Sequence, residues 1–330
     1  MNKRRYRLTR FAGAAVLIFA FFVSLLAGNT DFTFAGMLSA LMGNGTEKER
    51  LILYAIRFPR TLASLFCGSA LALSGLMLQT ALNNSLASPS VIGINSGASM
   101  FVLLAGILFP GMVSAKMLFS FLGSFTAVFI VLFISVRAGF SKTSMVLAGV
   151  AVSALFSAFI NLIITIEPDL AADKAAFTLG GFSNISTKDV WILIPGVVLL
   201  FFFCLFLSRG LDLLPLGDDM ASSLGLNVKM YRGLAILAAA VLAGLSVSVC
   251  GMLSFAGLII PNLIRIAGAE KLRDNIFLSV IYGGGFVMLC DTAARTIVYP
   301  YELPAGLIIS MLGAPFFIYI LIKKKRRLSL

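Results

Sequence analysis

The feature that most restricts this chain is its succession of long apolar runs, broken only by short polar stretches. A helix needs roughly 20 consecutive apolar residues to cross the hydrocarbon core of a bilayer. Ten segments near that length can be drawn, at about 8–28, 59–81, 90–108, 113–136, 143–166, 190–208, 231–250, 256–267, 275–297 and 305–322. That is too many for a soluble core. Charged residues are 12% of the 330 positions, against roughly 25% in soluble domains. The expected fold is all-α: a polytopic membrane protein of about ten transmembrane helices in one bundle, a single domain over 1–330. The eighth segment is short and follows Gly251 and Ser254. A broken or re-entrant element there has to be buried in protein, because lipid cannot satisfy loose backbone groups.

The formal net charge of +12 suggests nucleic acid until its placement is considered. Cationic residues cluster at Lys3-Arg4-Arg5-Tyr6-Arg7 and at Lys323-Lys324-Lys325-Arg326-Arg327, each beside an apolar helix. That is the pattern of a cytoplasmic membrane boundary, and no nucleic-acid partner is expected. With both termini inside, the inner loops hold 18 of the 26 lysines and arginines, so both ends of a multi-pass plasma- or inner-membrane protein are expected in the cytoplasm. The run before Ala27-Gly28-Asn29 is long enough to span, so it reads as the first helix and not as a cleaved leader.

Several chemistries are excluded. The cysteines, Cys67, Cys204, Cys250 and Cys290, lie inside apolar runs without CxxC spacing, and there is no histidine. A soft-metal site or a histidine proton relay is not expected. No GxxxxGK[ST] loop occurs, so the chain is not expected to bind or hydrolyse ATP itself. The chain is not read as an enzyme, and no catalytic residue, metal or cofactor is expected. Asp291 is the one acidic residue deep in a span, and it lies four residues before Arg295 on the same helix face. It reads as half of a structural ion pair or as a transport residue. An ion-gradient-driven secondary transporter is the alternative class, and only Asp291 and the short eighth segment fit it. Two rows of small residues, Ser64-Gly68-Ala72 and Gly149-Ser153-Ser157-Asn161, have the spacing for close helix packing. The second, with its polar Asn161, also reads as a pathway stripe.

The polar patches, taken in order, carry more. Arg57-Phe58-Pro59-Arg60-Thr61-Leu62 leads into Gly68-Ser69-Ala70-Leu71-Ala72-Leu73-Ser74-Gly75 and Gln79. Asn84-Ser85-Leu86-Ala87-Ser88-Pro89, Gly93 and Ser96-Gly97-Ala98 follow. Then come Leu216-Gly217-Asp218-Asp219-Met220-Ala221 with Leu224-Gly225-Leu226, and Phe255-Ala256-Gly257-Leu258-Ile259-Ile260-Pro261 with Arg265. The last are Asp291-Thr292-Ala293-Ala294-Arg295, Glu302-Leu303-Pro304-Ala305-Gly306 and Gly313-Ala314-Pro315-Phe316-Phe317. This ordered set resembles the FecCD-type permeases of binding-protein-dependent ABC importers, which carry iron–siderophore complexes, haem or cobalamin. It departs from the usual Asn-Pro-Leu-Ala at Ser85, from Gly-Pro-Ile-Gly-Phe at Met252 and Ser254, and from Pro-His at Asn262.

The resemblance implies uptake of a ferric siderophore, or of haem or cobalamin, by ATP-driven alternating access. It implies a transport subunit whose ATP is hydrolysed by separate partners: two ABC ATPase subunits, with a second permease copy or a paralogue and an extracellular or periplasmic solute-binding protein around this membrane-lipid-embedded chain. It further implies that Arg57, Arg60 and Arg295 dock the binding protein at an outer rim. Their planar forks suit carboxylates, although lipid headgroups or Asp291 are competing partners. Residues 209–230 are the longest inner loop. There Leu216, Gly217, Asp218, Ala221, Leu224 and Gly225 would couple to the ATPase, with an interfacial helix on the bilayer as the other reading. Lys142 and Thr143 would lie in a gate region and Asn161 on the pathway. Ser141-Lys142-Thr143-Ser144 reads equally as a helix N-cap.

Overall fold

The computed structural model describes residues 3–28, 34–268, 271–298 and 300–328. Fourteen α-helices follow one another among these: α1 (Lys3–Leu26), α2 (Phe34–Leu41), α3 (Glu47–Leu51), α4 (Phe58–Ala81), α5 (Ile94–Leu108), α6 (Val113–Arg137), α7 (Lys142–Ile166), α8 (Leu170–Leu179), α9 (Thr187–Leu211), α10 (Asp218–Ser223), α11 (Val228–Cys250), α12 (Ala256–Ile266), α13 (Leu272–Thr296) and α14 (Ala305–Leu328). No strand occurs among the described residues. Seven stretches are long and apolar enough to cross a membrane, and Ile94–Leu108, Ala256–Ile266 and Ala305–Ile320 are shorter apolar helices. Each of the ten segments drawn from the sequence overlaps one of these helices.

The second segment is corrected at its start. The sequence placed it at 59; the helix runs without interruption from Glu47 to Ala81. Thr46 begins it through a capping box, in which Thr46 N–H donates to Glu49 Oε2 at 2.8 Å and Glu49 N–H to Thr46 Oγ1 at 3.3 Å. Pro59 lacks the N–H that would bond Ala55 and its ring crowds that carbonyl. The chain absorbs this with a π-helical turn over Ile52–Arg57, in which Phe58 N–H reaches back five residues to Leu53 O. Arg57 therefore sits inside a helix and not at its start.

α4 is the centre of the bundle and is buried along most of its length. Its small residues permit this. A Cβ on Gly75 would lie 1.7 Å from Gly257 O of α12, and one on Gly68 would lie 2.4 Å from Gly283 O of α13. The row Ser64-Gly68-Ala72 thus packs helix on helix. Two serines of α4 tie it to α13 and α11: Ser69 Oγ donates to Val280 O of α13 at 2.8 Å and Ser74 Oγ to Ala239 O of α11 at 2.6 Å.

The short eighth segment meets the burial that its length demands. α12 has 11 residues, about 16 Å at 1.5 Å per residue, roughly half of a hydrocarbon core. Residues 256–262 and Ile264 are buried. It is preceded by a break in which Gly251 (φ 69°) and Phe255 (φ 65°) adopt left-handed backbone. For Phe255 that conformation costs about 1–2 kcal/mol. Its ring packs in return against Phe317 of α14, centroids 6.4 Å apart.

Replacing Gly75 by valine drives the new side chain into the α12 backbone. We expect a loss of about 1–3 kcal/mol or more from overpacking, read as a lower thermal midpoint of the detergent-purified chain; an unchanged midpoint would contradict the α4–α12 contact.

Candidate functional site

Three polar regions lie along the apolar bundle. The first joins α1, α4, α13 and the segment before α14. Arg60 donates from Nε to Asp291 Oδ2 at 3.1 Å, from Nη2 to Asp291 Oδ1 at 3.0 Å, and from Nη1 to Glu302 Oε2 at 2.8 Å. Asp291 is fully buried, and its Oδ2 lies 3.3 Å from Arg295 Nε one turn along α13, as the four-residue spacing predicts. That contact is an ion pair without hydrogen-bond alignment. Arg295 Nη2 instead donates to Ser24 O and Ser24 Oγ, both at 3.1 Å. Arg57 Nη1 donates to Leu25 O and Leu26 O.

Three guanidinium groups thus meet two carboxylates. The excess positive charge rests on carbonyls of the last turn of α1, where the helix dipole is negative. Arg57, Arg60 and Arg295 are only 3%, 6% and 3% exposed. The sequence reading put these arginines on an outer rim. The structure turns them inward, because intrachain carboxylates and carbonyls take up their donors.

The second region is the expected 209–230 loop, which the structure narrows to residues 212–227 between α9 and α11, at the opposite end of α4. Gly217 (φ 99°) and Gly225 (φ 86°) bracket α10 with backbone that only glycine adopts without strain. Arg232 of α11 is 2% exposed. Its Nε donates to Ala81 O, at the end of α4, at 3.0 Å, and its Nη2 to Asp218 Oδ1 at 2.7 Å. This guanidinium holds the half-exposed Asp218 carboxyl below the usual carboxylate range, chiefly through the hydrogen bond. The apolar face expected for α10 divides in two. Ala221 is buried and Leu226 packs on the core, whereas Leu216, Met220 and Leu224 are 52%, 59% and 60% exposed. Arg232 was missed as a functional residue in the sequence, since nothing in a lone cation at a span end announces a buried anchor.

The third region is α7 and its entry. Ser141 Oγ accepts from Ser144 N–H at 3.0 Å, the N-cap that the sequence suggested. Lys142 is half-buried and Thr143 exposed. The row from Gly149 to Asn161 splits. Gly149 abuts Val91 O, 2.3 Å from its would-be Cβ, and packs the bundle. Ser157 and Asn161 are exposed beside Leu155, Phe159 and Leu162.

Two cavities flank these regions. One of about 450 Å³ is lined by Lys116, Asp173, Asn184 and Glu302 among others, with Lys116 Nζ 2.7 Å from Asp173 Oδ2. Glu302 thereby links this cavity to the arginine cluster. The other, of about 440 Å³, lies at the 209–230 end. Two departures from the expected family pattern touch beside it, where Asn262 Nδ2 donates to Ser85 O at 3.0 Å. No group of three or more cysteines and acids that could hold a metal occurs among the described residues.

The sequence profile of the FecCD transport family matches residues 16–323. The chain is 32% identical over 317 residues to the iron(3+)-hydroxamate import system permease protein FhuG of Bacillus subtilis, covering 93% of this chain and 94% of that one. It is also 32% identical over 330 residues to the vitamin B12 import system permease protein BtuC of Klebsiella pneumoniae, covering 99% and 97%. Among solved structures it is similar to a metal-chelate type ABC transporter in an inward-facing conformation, with a TM-score of 0.83, 26% identity, and coverage of 96% and 99%.

Removing one partner of a buried ion pair strands the other charge, at about 3–5 kcal/mol. Asp291→Asn is therefore expected to lower thermal stability sharply. Glu302→Gln, at a side chain 33% exposed, should lose only about 0–1 kcal/mol; equal losses would refute the inward cluster. For Asp218, a depressed value means stabilisation that is present above the ordinary carboxylate range and lost as pH falls through the lowered value. Hydrogen exchange across 217–226 is expected to show no change in protection from pH 5 to 8 once corrected for intrinsic rates, with loosening only below about pH 4.

Proposed function

From the premise that the chain belongs to the FecCD transport family and is a permease subunit of the ABC-importer type, we propose that its cargo is a preformed metal chelate. A ferric siderophore is the first candidate, and haem or cobalamin the second. The family match across nearly the full length carries this reading, and relatives for both ferric hydroxamate and vitamin B12 support the chelate class. A chelate already satisfies its metal, so its conduit needs no cluster of metal-ligating side chains, and none occurs among the described residues.

The proposed assembly has two permeases, this chain with a second copy or a paralogue, two ATPase subunits and a solute-binding protein. The bias of lysine and arginine supports placing both termini and the 209–230 loop on the cytoplasmic side. Leu216, Met220 and Leu224 then offer an apolar knob to a groove on the ATPase. Arg232 transmits its movement to α4 through Ala81 O and Asp218. Gly217 and Gly225 supply the turns on either side of α10, and Lys142 and Thr143 sit at the same end as a gate. Asn161 and Ser157 face a partner permease or the pathway between the two. At the other end, a carboxylate of the binding protein would reach Arg60 by replacing Glu302, its half-buried partner, beside Arg57 and Arg295. Alternating access follows as ATP binding and hydrolysis in the partners shift the balance of two arrangements.

The secondary-transporter alternative is disfavoured by one observation. Asp291, its only candidate ion-coupling carboxylate, is bound by Arg60 and ion-paired with Arg295.

Proteoliposomes holding the permease, its ATPase and its binding protein should accumulate ferric siderophore with ATP and not with a proton or sodium gradient alone. Gradient-driven uptake by the chain by itself would overturn the reading. Leu224→Asp is expected to reduce ATP-dependent uptake by about tenfold, equivalent to about 1.4 kcal/mol of lost coupling contact, at unchanged protein level; full uptake would remove α10 from the coupling surface.

A further inference from the structure

Three helix ends meet beside the cavity of about 450 Å³, where Leu179, Gly180, Cys250, Gly251 and Pro304 form part of the wall. Their meeting has no part in the proposed function. α8 stops at Leu179, α11 stops at Cys250 and α14 starts at Ala305. Each end carries backbone groups with no partner inside its own helix. Here those groups partner one another. Met252 N–H donates to Phe177 O at 2.9 Å, Gly181 N–H to Cys250 O at 2.8 Å, and Gly306 N–H to Gly180 O at 3.2 Å. The end of α8 thus serves the break before α12, whose loose backbone lipid could not satisfy.

Only glycine allows backbones to come this close. A Cβ on Gly180 would lie 2.4 Å from Met252 O, one on Gly251 2.7 Å from Phe177 O, and one on Gly306 2.1 Å from Leu179 O. Gly180 (φ 61°) and Gly251 (φ 69°) also hold positive φ, which glycine adopts without strain. The joint therefore leaves no room to slide. The rest of α8 is held more loosely. None of its residues is buried. A polar tie to α6 is the partly exposed Lys116–Asp173 pair at 2.7 Å, and exposed pairs of that kind contribute little. α8 is thus fixed where it meets the break and free to respond elsewhere.

We propose that α8 is a handle on α12: a protein docked at this end of the bundle moves α8, and the joint carries that movement to the break. This rests on the proposed reading, in which a solute-binding protein docks at the end that bears Arg60. Glu302, which bonds Arg60, and Pro304 lie on the chain just before Gly306. A coupling claim needs an element that both sites bias, and α12 is that element. One input comes from α10 by way of Arg232, α4 and the Gly75–Gly257 contact. The other comes from α8 by way of Phe177, Gly180 and Met252. Gly180 and Gly306 act through the break and are positioning residues.

Hydrogen exchange on the full chain in nanodiscs, without partners, tests the joint. Gly180→Ala, which sets a methyl against Met252 O, should speed exchange at the Met252 and Gly306 amides by about tenfold and leave α4 unchanged. Asp173→Asn loosens the other part of α8 and should leave both amides as they were. Unchanged exchange at the two amides in folded Gly180→Ala overturns the proposal, and so does equal loosening by Asp173→Asn. The handle is tested by adding the ATPase and the binding protein to the unaltered chain. Docking should change protection over 250–256 together with 171–181; a change over 171–181 alone overturns the proposal even if Gly180→Ala fails to fold. In folded Gly180→Ala the binding protein should bind as tightly but stimulate ATP hydrolysis about tenfold less; full stimulation is the contrary result. Failure of the binding protein to dock on the unaltered chain overturns the proposed function as well, which separates the two.

Discussion

Helices in lipid gain nothing from leaving water, so this bundle depends on how closely α4 lets its neighbours approach. Dispersion and interhelical hydrogen bonds have to replace the hydrophobic drive, and both fall off within an ångström or so. Gly68 and Gly75 bring the backbones of α13 and α12 against α4 at separations that a methyl group would not permit. Ser69 and Ser74 then bond directly to carbonyls of α13 and α11. Such bonds contribute only about 0.6 kcal/mol each on average, so they fix register more than they add stability. The close packing sets where the polar side chains at the two ends of α4 can meet.

At one end the consequence is a charge cluster drawn inward. Arg60 would be costly to bury alone, since a lone buried charge carries a penalty of several kcal/mol. It is tolerable because α13, held at Gly68 and Ser69, brings Asp291 within reach of both edges of its fork. Arg295 and Arg57 complete the set by using the end of α1 as a counter-charge. At the opposite end, Arg232 plays a similar part with one carboxylate and one terminal carbonyl of α4, and thereby ties the 209–230 loop to the central helix.

Much of this was legible in the sequence because periodicity is not required to read a membrane span; length and apolarity suffice. The ten apolar helices, the short α12 among them, and the Asp291–Arg295 pair follow from length or four-residue spacing. The start of the second helix was misread because Arg57 and Pro59 look like a boundary. The Thr46–Glu49 capping box, which was present in the sequence, marks the true one. The inward turn of the arginines was not legible, because it depends on carbonyls of α1 and on Glu302, more than 200 positions from Arg60.

The same packing divides the chain into parts that can and cannot rearrange. α4, α11 and α13 touch through backbone or through serine hydroxyls bonded to carbonyls, and interfaces of that density shift between discrete arrangements instead of deforming. α12 differs. It is joined to α11 through a break with two left-handed residues, and its Phe255 is held in that conformation by packing on α14. Strain that surrounding contacts maintain is released when those contacts move. On the proposed mechanism, a displacement entering at α10 reaches Arg232 and the end of α4 first. The α4–α12 contact at Gly75 allows no slack, so α12 must follow α4 or part from it, and the break before Phe255 is where the chain can accommodate either course. A conduit whose central helix is this tightly packed must therefore change shape at its discontinuity and not along its core.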